Sequence, residues 1–194
     1  MTAPYAGPLR DEPLAIELHN TIYAANGVGI DGLSDSAGAT AWLDALAPRL
    51  PQGGSARRRL PALDELVALR AAVREALAGA VSGEPARREA LDAINAFSAR
   101  APRSPLALWQ PRGAPLAGTD VHGATRADVI LAALAAGAID LLTGPRRADL
   151  RACGAPGCVL MFLKDHPRRE WCSNACGNRA RQARHYRRAR GSSI

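Results

Sequence analysis

The sequence predicts an α+β protein: a mainly helical N-terminal domain with one small hairpin, followed by a short cysteine-bearing lobe built from a second hairpin and a terminal helix. Three observations predict it. Leu63, Leu66, Val67, Leu69, Val73 and Leu77 recur at three- and four-residue spacing, and Val129, Ile130, Leu131, Leu134, Ile139, Leu141 and Leu142 run almost all round a second helix. Residues 106–110 and 116–121 flank Pro111-Arg112-Gly113 as the arms of a hairpin. All four cysteines fall between Cys153 and Cys176.

In chain order, residues 1–13 are rich in Pro and Gly and read as loose. Residues 14–23 open the ordered region as a short element, helix or strand. The Gly-rich stretch 26–38 reads as loop, followed by a short helix over 39–47 that Pro48 ends, and 53–59 reads as a flexible connection. The best helix starts at Pro61 and has Gly79 near its stop. A second covers 85–99, with Leu91, Ile94 and Phe97 as its apolar stripe and Pro102 beyond its end. After the hairpin, 126–143 is a buried helix stopped by Gly144-Pro145. The expected domain boundary lies there, giving 14–145 as the first domain and 146–194 as the second.

With 194 residues, 47% of them apolar but only 4% aromatic, the core must be built from Leu, Ala, Val and Ile. The charged fraction of 22% argues against wholesale disorder. The longest apolar stretch, 129–139, ends at Asp140 and is too short to span a bilayer. Residues 1–13 lack a basic patch followed by an apolar run, so no signal peptide and a cytoplasmic location are expected.

The net charge of +7 is unevenly spread. Up to Pro145 there are 13 Arg against 15 Asp and Glu, whereas 146–194 holds 11 Arg and Lys164 against Asp149, Asp165 and Glu170. Arg outnumbers Lys throughout, so codon bias does not explain the asymmetry. A segment this basic is the electrostatic footprint of a polyanion binder.

Within that segment, Cys153 and Cys158 enclose four residues, Cys172 and Cys176 enclose three, and thirteen separate the pairs. In a cytosolic chain, paired cysteines point to metal rather than to a disulfide framework, and two thiolate pairs on tight turns complete a closed tetrahedral zinc site. Neither pair has the two-residue spacing of a redox site. His166 and His185 could replace a ligand, but four cysteines already fill the shell. Residues 159–163 read as a strand, 164–168 as a turn and 169–171 as a returning strand. Ser173 or Asn174 caps a helix with Cys176 in its first turn. Knuckle, hairpin and helix together make a treble-clef-like zinc finger. About 40 residues bury too little apolar surface alone, and metal binding supplies the missing folding energy.

The terminal helix carries Arg179, Arg181, Arg184, Arg187, Arg188 and Arg190, with His185 and Tyr186 between them. At helical spacing Arg181, Arg184 and Arg188 share a sector of about 60°, while Arg179, Arg187 and Arg190 form a second row on the side of Cys176. Such a helix fits a major groove, with guanidiniums on phosphates and guanine edges.

At Cys176-Gly177-Asn178-Arg179, preceded by Arg169-Glu170-Trp171-Cys172-Ser173 and followed by the Arg-rich helix, the chain resembles bacterial proteins that join an N-terminal ABATE domain to a C-terminal CGNR zinc finger. Leu141-Leu142-Thr143 leading into Arg151-Ala152-Cys153, and Asn20-Thr21 near the start, extend the resemblance over most of the chain. The first knuckle departs from the pattern, because Gly154-Ala155-Pro156-Gly157 lacks the polar residues often found there. The resemblance implies a stress-responsive transcription regulator with one structural Zn2+ held by Cys153, Cys158, Cys172 and Cys176. It also implies a finger that binds double-stranded DNA, and structural or DNA-facing roles for Asn178 and Arg179.

Three function classes follow. The first is a zinc-dependent DNA-binding regulator whose N-terminal domain senses a small-molecule or protein signal or forms a homodimer. The second is an adaptor or RNA-binding protein with a purely structural finger. RNA recognition usually wants exposed aromatics, and this segment offers only Phe162, Trp171 and Tyr186, the first two better suited to the finger's own core. The third is an enzyme, for which His19, Asn20 and Asp31 are the one constellation. Four thiolates leave zinc no open position, and no phosphate loop, nucleophile elbow or dinucleotide fingerprint is present, so no catalytic role is expected.

Overall fold

A computed structural model describes residues 4–191 apart from Asn26 and Arg58, and not the side chains of residues 189–191. The first ordered stretch is both a helix and a strand: α1 (Leu14–His19) is a single buried turn and a half, and β1 (Ile22–Ala25) follows it. β1 pairs antiparallel with β2 (Val28–Asp31), Ala25 opposite Val28, which corrects the loop expected over 26–38. The Asn-Gly dipeptide that separates the strands is the strongest short hairpin signal, and Gly27 adopts the φ of +80° that such turns require.

α2 (Ser36–Leu46) starts earlier than expected because the Asp35 carboxylate accepts from the Gly38 amide at 2.8 Å. A 3-10 turn, Ala47–Arg49, contains the Pro48 that ends it. α3 (Leu63–Ser82) runs through Gly79 and stops at Gly83, whose φ of +80° makes the left-handed cap. Gly79 is small for another reason: a Cβ there would stand 2.5 Å from the carbonyl oxygen of Glu84, where the chain turns back across the helix. α4 (Arg88–Ser98) is shorter at its start than the periodicity implied. The predicted hairpin forms as β3 (Ser104–Leu108) and β4 (Leu116–Asp120), with Leu108 opposite Leu116. α5 (Arg126–Thr143) has the predicted bounds, opened by a capping box in which Thr125 and Asp128 satisfy each other's backbone amides.

α5 is the central element, packed against α1, α3 and α4. Ile16, Leu18, Trp42, Leu66, Leu69, Leu131 and Leu134 lose nearly all their exposure in the core around it. A 3-10 turn, Pro145–Asp149, then leads into β5 (Leu150–Ala152), β6 (Met161–Leu163) and α6 (Asn174–Gly191).

The second hairpin differs from the expectation. The strand within 159–163 pairs with β5 and not with 169–171, which form no strand. The first knuckle decides this, because it closes the ribbon when the Cys153 amide donates to the Leu160 carbonyl at 2.9 Å. β6 is buried on both faces. Met161 and Leu163 join Leu150 in the main core, while Phe162 turns the other way, into a separate cluster with Cys153, Cys172, Cys176 and Ala180. One three-residue strand is shared by two cores.

Candidate metal centre and basic helix

The cysteine sulfurs converge. Cys158 and Cys172 lie 3.8 Å apart, Cys172 and Cys176 3.4 Å, Cys176 and Cys158 3.8 Å, and all four are within 4.8 Å of one another with no disulfide among them. Zinc–sulfur bonds of about 2.3 Å place tetrahedral thiolates about 3.8 Å apart, so the four sulfurs fit one zinc ion. Local backbone sets this up. Gly157, at φ +71°, lets the first knuckle turn so that the Cys158 amide reaches the Ala155 carbonyl at 2.9 Å. Ser173 caps α6 by accepting from the Cys176 amide at 3.3 Å, which fixes the last sulfur on the helix's first turn.

The donor set suits a cation and little else. Burial pushes the Cys153 thiol up, and Cys172 is raised most by its hydrogen bond to Cys158, then by burial. Cys158 is drawn down to about 5, first because Cys172 donates to it. Four sulfurs this close, three of them on buried cysteines and Cys158 half-buried, cannot all be thiolates without a positive ion among them. His166 and His185 are exposed and stand outside the cluster: the His166 ring accepts from the Arg168 amide at 3.1 Å, and His185 meets Tyr186 edge-on.

The residues after the last cysteine have separate jobs. Gly177 lies against Trp171, where a Cβ would come within 2.9 Å of the indole Cδ1. Asn178 accepts from the Arg181 guanidinium. Arg179 turns back, its Nη2 3.3 Å from the Cys176 sulfur, a hydrogen bond that draws negative charge off that sulfur.

Comparison with known families agrees with this geometry. A family model described as "Putative stress-induced transcription regulator", ABATE, matches residues 12–145, and the CGNR zinc finger model matches 150–189. The chain belongs to the ABATE family. No curated protein sequence matches it. Neither family is an enzymatic one, and the CGNR finger with its cysteine cluster carries one structural zinc.

In this ABATE protein the arginines of α6 are distributed around the helix. Arg179, Arg181, Arg184, Arg187 and Arg188 are exposed, and the side chain of Arg190 lies outside the described residues. Arg181 joins Arg168 in a groove beside Trp171, while Arg184 and Arg187 line a second groove on the other side of the same indole with Gly154 and Pro156. α6 contains no acidic residue.

Sequence reasoning missed how the ABATE segment holds the finger. β6 spends the backbone groups of Leu160, Phe162 and Lys164 on the β5 side, so those of Met161 and Leu163 face the N-terminal segment. Asn20, fully buried, meets Met161 like a strand: its Nδ2 donates to the carbonyl at 3.0 Å and its Oδ1 accepts from the amide at 2.9 Å. Glu12, 3% exposed, accepts from the Leu163 amide at 3.0 Å and from Arg169 at 2.5 Å, and Arg169 donates in turn to the Leu163 carbonyl at 2.9 Å. Glu12, in the stretch expected to be loose, is therefore held, although residues 4–13 form no helix or strand.

The residues of the enzyme constellation do structural work. His19 is buried, its ring hydrogen-bonded to Asn20 at 3.2 Å, and its pKa is lowered to about 4, first by burial and then by Arg74. Asp31 grips the Arg70 guanidinium through both oxygens, which holds its carboxyl below the usual range.

Proposed function

We propose that this ABATE protein is a zinc-dependent, DNA-binding transcription regulator. Cys153, Cys158, Cys172 and Cys176 hold one zinc, which orients α6 so that Arg181, Arg184, Arg187, Arg188 and Arg190 meet duplex DNA. Arg179 braces the metal site and reaches phosphate only at its exposed edge. The observation that carries this reading is an 18-residue helix, anchored at its first turn by the cysteine cluster, with exposed arginines and no acidic residue of its own. Zinc acts structurally, because four cysteines leave no open coordination position and catalysis has no place. No described helix is long and apolar enough to cross a membrane, which is compatible with action at cytoplasmic DNA.

Residues 14–145 form the signal-receiving part and 146–194 the DNA-binding part, joined through the shared strand β6. A homodimer is favoured by the β3–β4 ribbon, which exposes Leu106, Leu108, Trp109 and Leu116. Between Ser104 and Thr119 its only charged residue is Arg112, so two copies of a basic chain can meet there without repulsion. A dimer predicts paired half-sites. The test is selection of bound fragments from a genomic duplex library with zinc-loaded and chelated protein. Zinc-dependent enrichment of a common site supports the reading, and equal recovery with and without zinc overturns it.

A further inference from the structure

The N-terminal segment ties a recess in the ABATE domain to the finger. Tyr5 lies in that recess, walled by Tyr23, Ile30, Asp31, Gly32 and Gly38, and the space open around it measures about 320 Å³, enough for a small molecule. Glycines make room for the phenol: a Cβ on Gly32 would stand 2.4 Å from the Tyr5 hydroxyl oxygen, and one on Gly7 2.3 Å from it. The hydroxyl itself is buried with no hydrogen-bond partner, unusual for a buried tyrosine. Asp31 sits on the wall, backed by the buried Arg70. The recess is thus shaped around a phenol ring, and as Tyr5 places it the hydroxyl goes unsatisfied.

Seven positions further on, the same segment reaches the finger. The amides of Arg10 and Glu12 donate to the buried Glu17 carboxylate at 3.0 and 2.9 Å, Arg49 donates to the Glu12 carbonyl, and the Glu12 side chain holds Leu163 and Arg169.

We propose that this recess is the effector site of the regulator, that its ligand is a small phenol, and that Tyr5 occupies the site in the unliganded chain. The ligand takes the place of the Tyr5 ring, its substituents fill the space beside it, and displacement of the segment releases Glu12 from β6. The proposal rests on the regulator reading for its purpose, but binding and release are measured without DNA.

The probe is p-cresol, the tyrosine side chain detached from the backbone, titrated into the zinc-loaded full chain. Tyr5→Ala should bind it roughly tenfold more tightly than the wild type, where the tethered ring competes. Tyr5→Phe, which loses only the unpartnered hydroxyl, should bind it as weakly as the wild type. Gly32→Val, which fills the hydroxyl end of the recess, should abolish binding. In the wild type at saturating p-cresol, hydrogen exchange at the Leu163 amide should accelerate roughly tenfold, while the Met161 amide, held by Asn20, stays protected. If Tyr5→Ala is unfolded alone, p-cresol must refold it. Binding to Tyr5→Ala no tighter than to the wild type, failure to refold that variant, or unchanged Leu163 exchange at saturation overturns the proposal. A chain that passes these tests yet ignores DNA refutes the DNA reading alone.

Discussion

Replacing Asn20 with Ala removes the clasp between the two halves of the molecule and tests whether β6 is held as described. The side chain makes two hydrogen bonds to Met161, at 3.0 and 2.9 Å, and Met161 is only 6% exposed. Truncation strands a buried amide and a buried carbonyl, each costing about 1–3 kcal/mol, so the bound is about 2–6 kcal/mol. The vacated space is polar and about the size of a water molecule, so one water can satisfy part of the loss, and we expect about 2–3 kcal/mol. Urea unfolding of the zinc-loaded chain gives the magnitude, and hydrogen exchange at Met161 gives the place. Asn20→Asp should also destabilise, because it keeps the acceptor for the Met161 amide but loses the donor to the carbonyl. A loss below about 0.5 kcal/mol for Asn20→Ala, within the range of ordinary surface changes, would refute the argument.

Three further outcomes follow. The His19 ring should stay neutral in the folded chain down to about pH 4, against about 6.5 when unfolded. The unfolded chain therefore binds the extra proton between these values, and His19 lowers stability by about 1.4 kcal/mol per pH unit as pH falls from 6.5 towards 4, with no effect above. NMR titration of the ring checks this, and a midpoint near 6.5 would contradict it. Chelation should remove one zinc per chain and lower the melting temperature of the whole protein, because Leu150, Met161 and Leu163 belong to the main core. Calorimetry showing an unchanged N-terminal transition would count against that shared strand. Gly177→Ala should cost about 1 kcal/mol net, since crowding of Trp171 outweighs the gain in helix propensity; a more stable variant would show that the indole simply yields.

What the sequence disclosed was what leaves a local trace. Burial of one helix face imposes three- and four-residue spacing, so α3, α4 and α5 were legible, and thiolate pairs on tight turns announce themselves by spacing. The β1–β2 hairpin left a trace too, in Asn26-Gly27, but the surrounding Gly29 and Gly32 made the stretch read as loop. The partner of β6 was misread because strand pairing here is set by the knuckle that joins Cys153 to Leu160, not by apolar alternation. Nothing local marks the clasp: Asn20 and Met161 are 141 positions apart, Glu12 and Leu163 151, and in each case a side chain seeks a backbone group that any residue would provide. Charge counting likewise cannot separate Arg179, turned back on a sulfur, from Arg184, which lines an open groove.

The most direct test of the central claim is the salt dependence of duplex binding by the zinc-loaded chain, followed by fluorescence anisotropy. With about five arginines on phosphate, the logarithm of the binding constant should fall against the logarithm of salt concentration with a slope of about −4.5, and chelation should abolish the binding. A slope near zero, or equal affinity with and without zinc, would contradict the account.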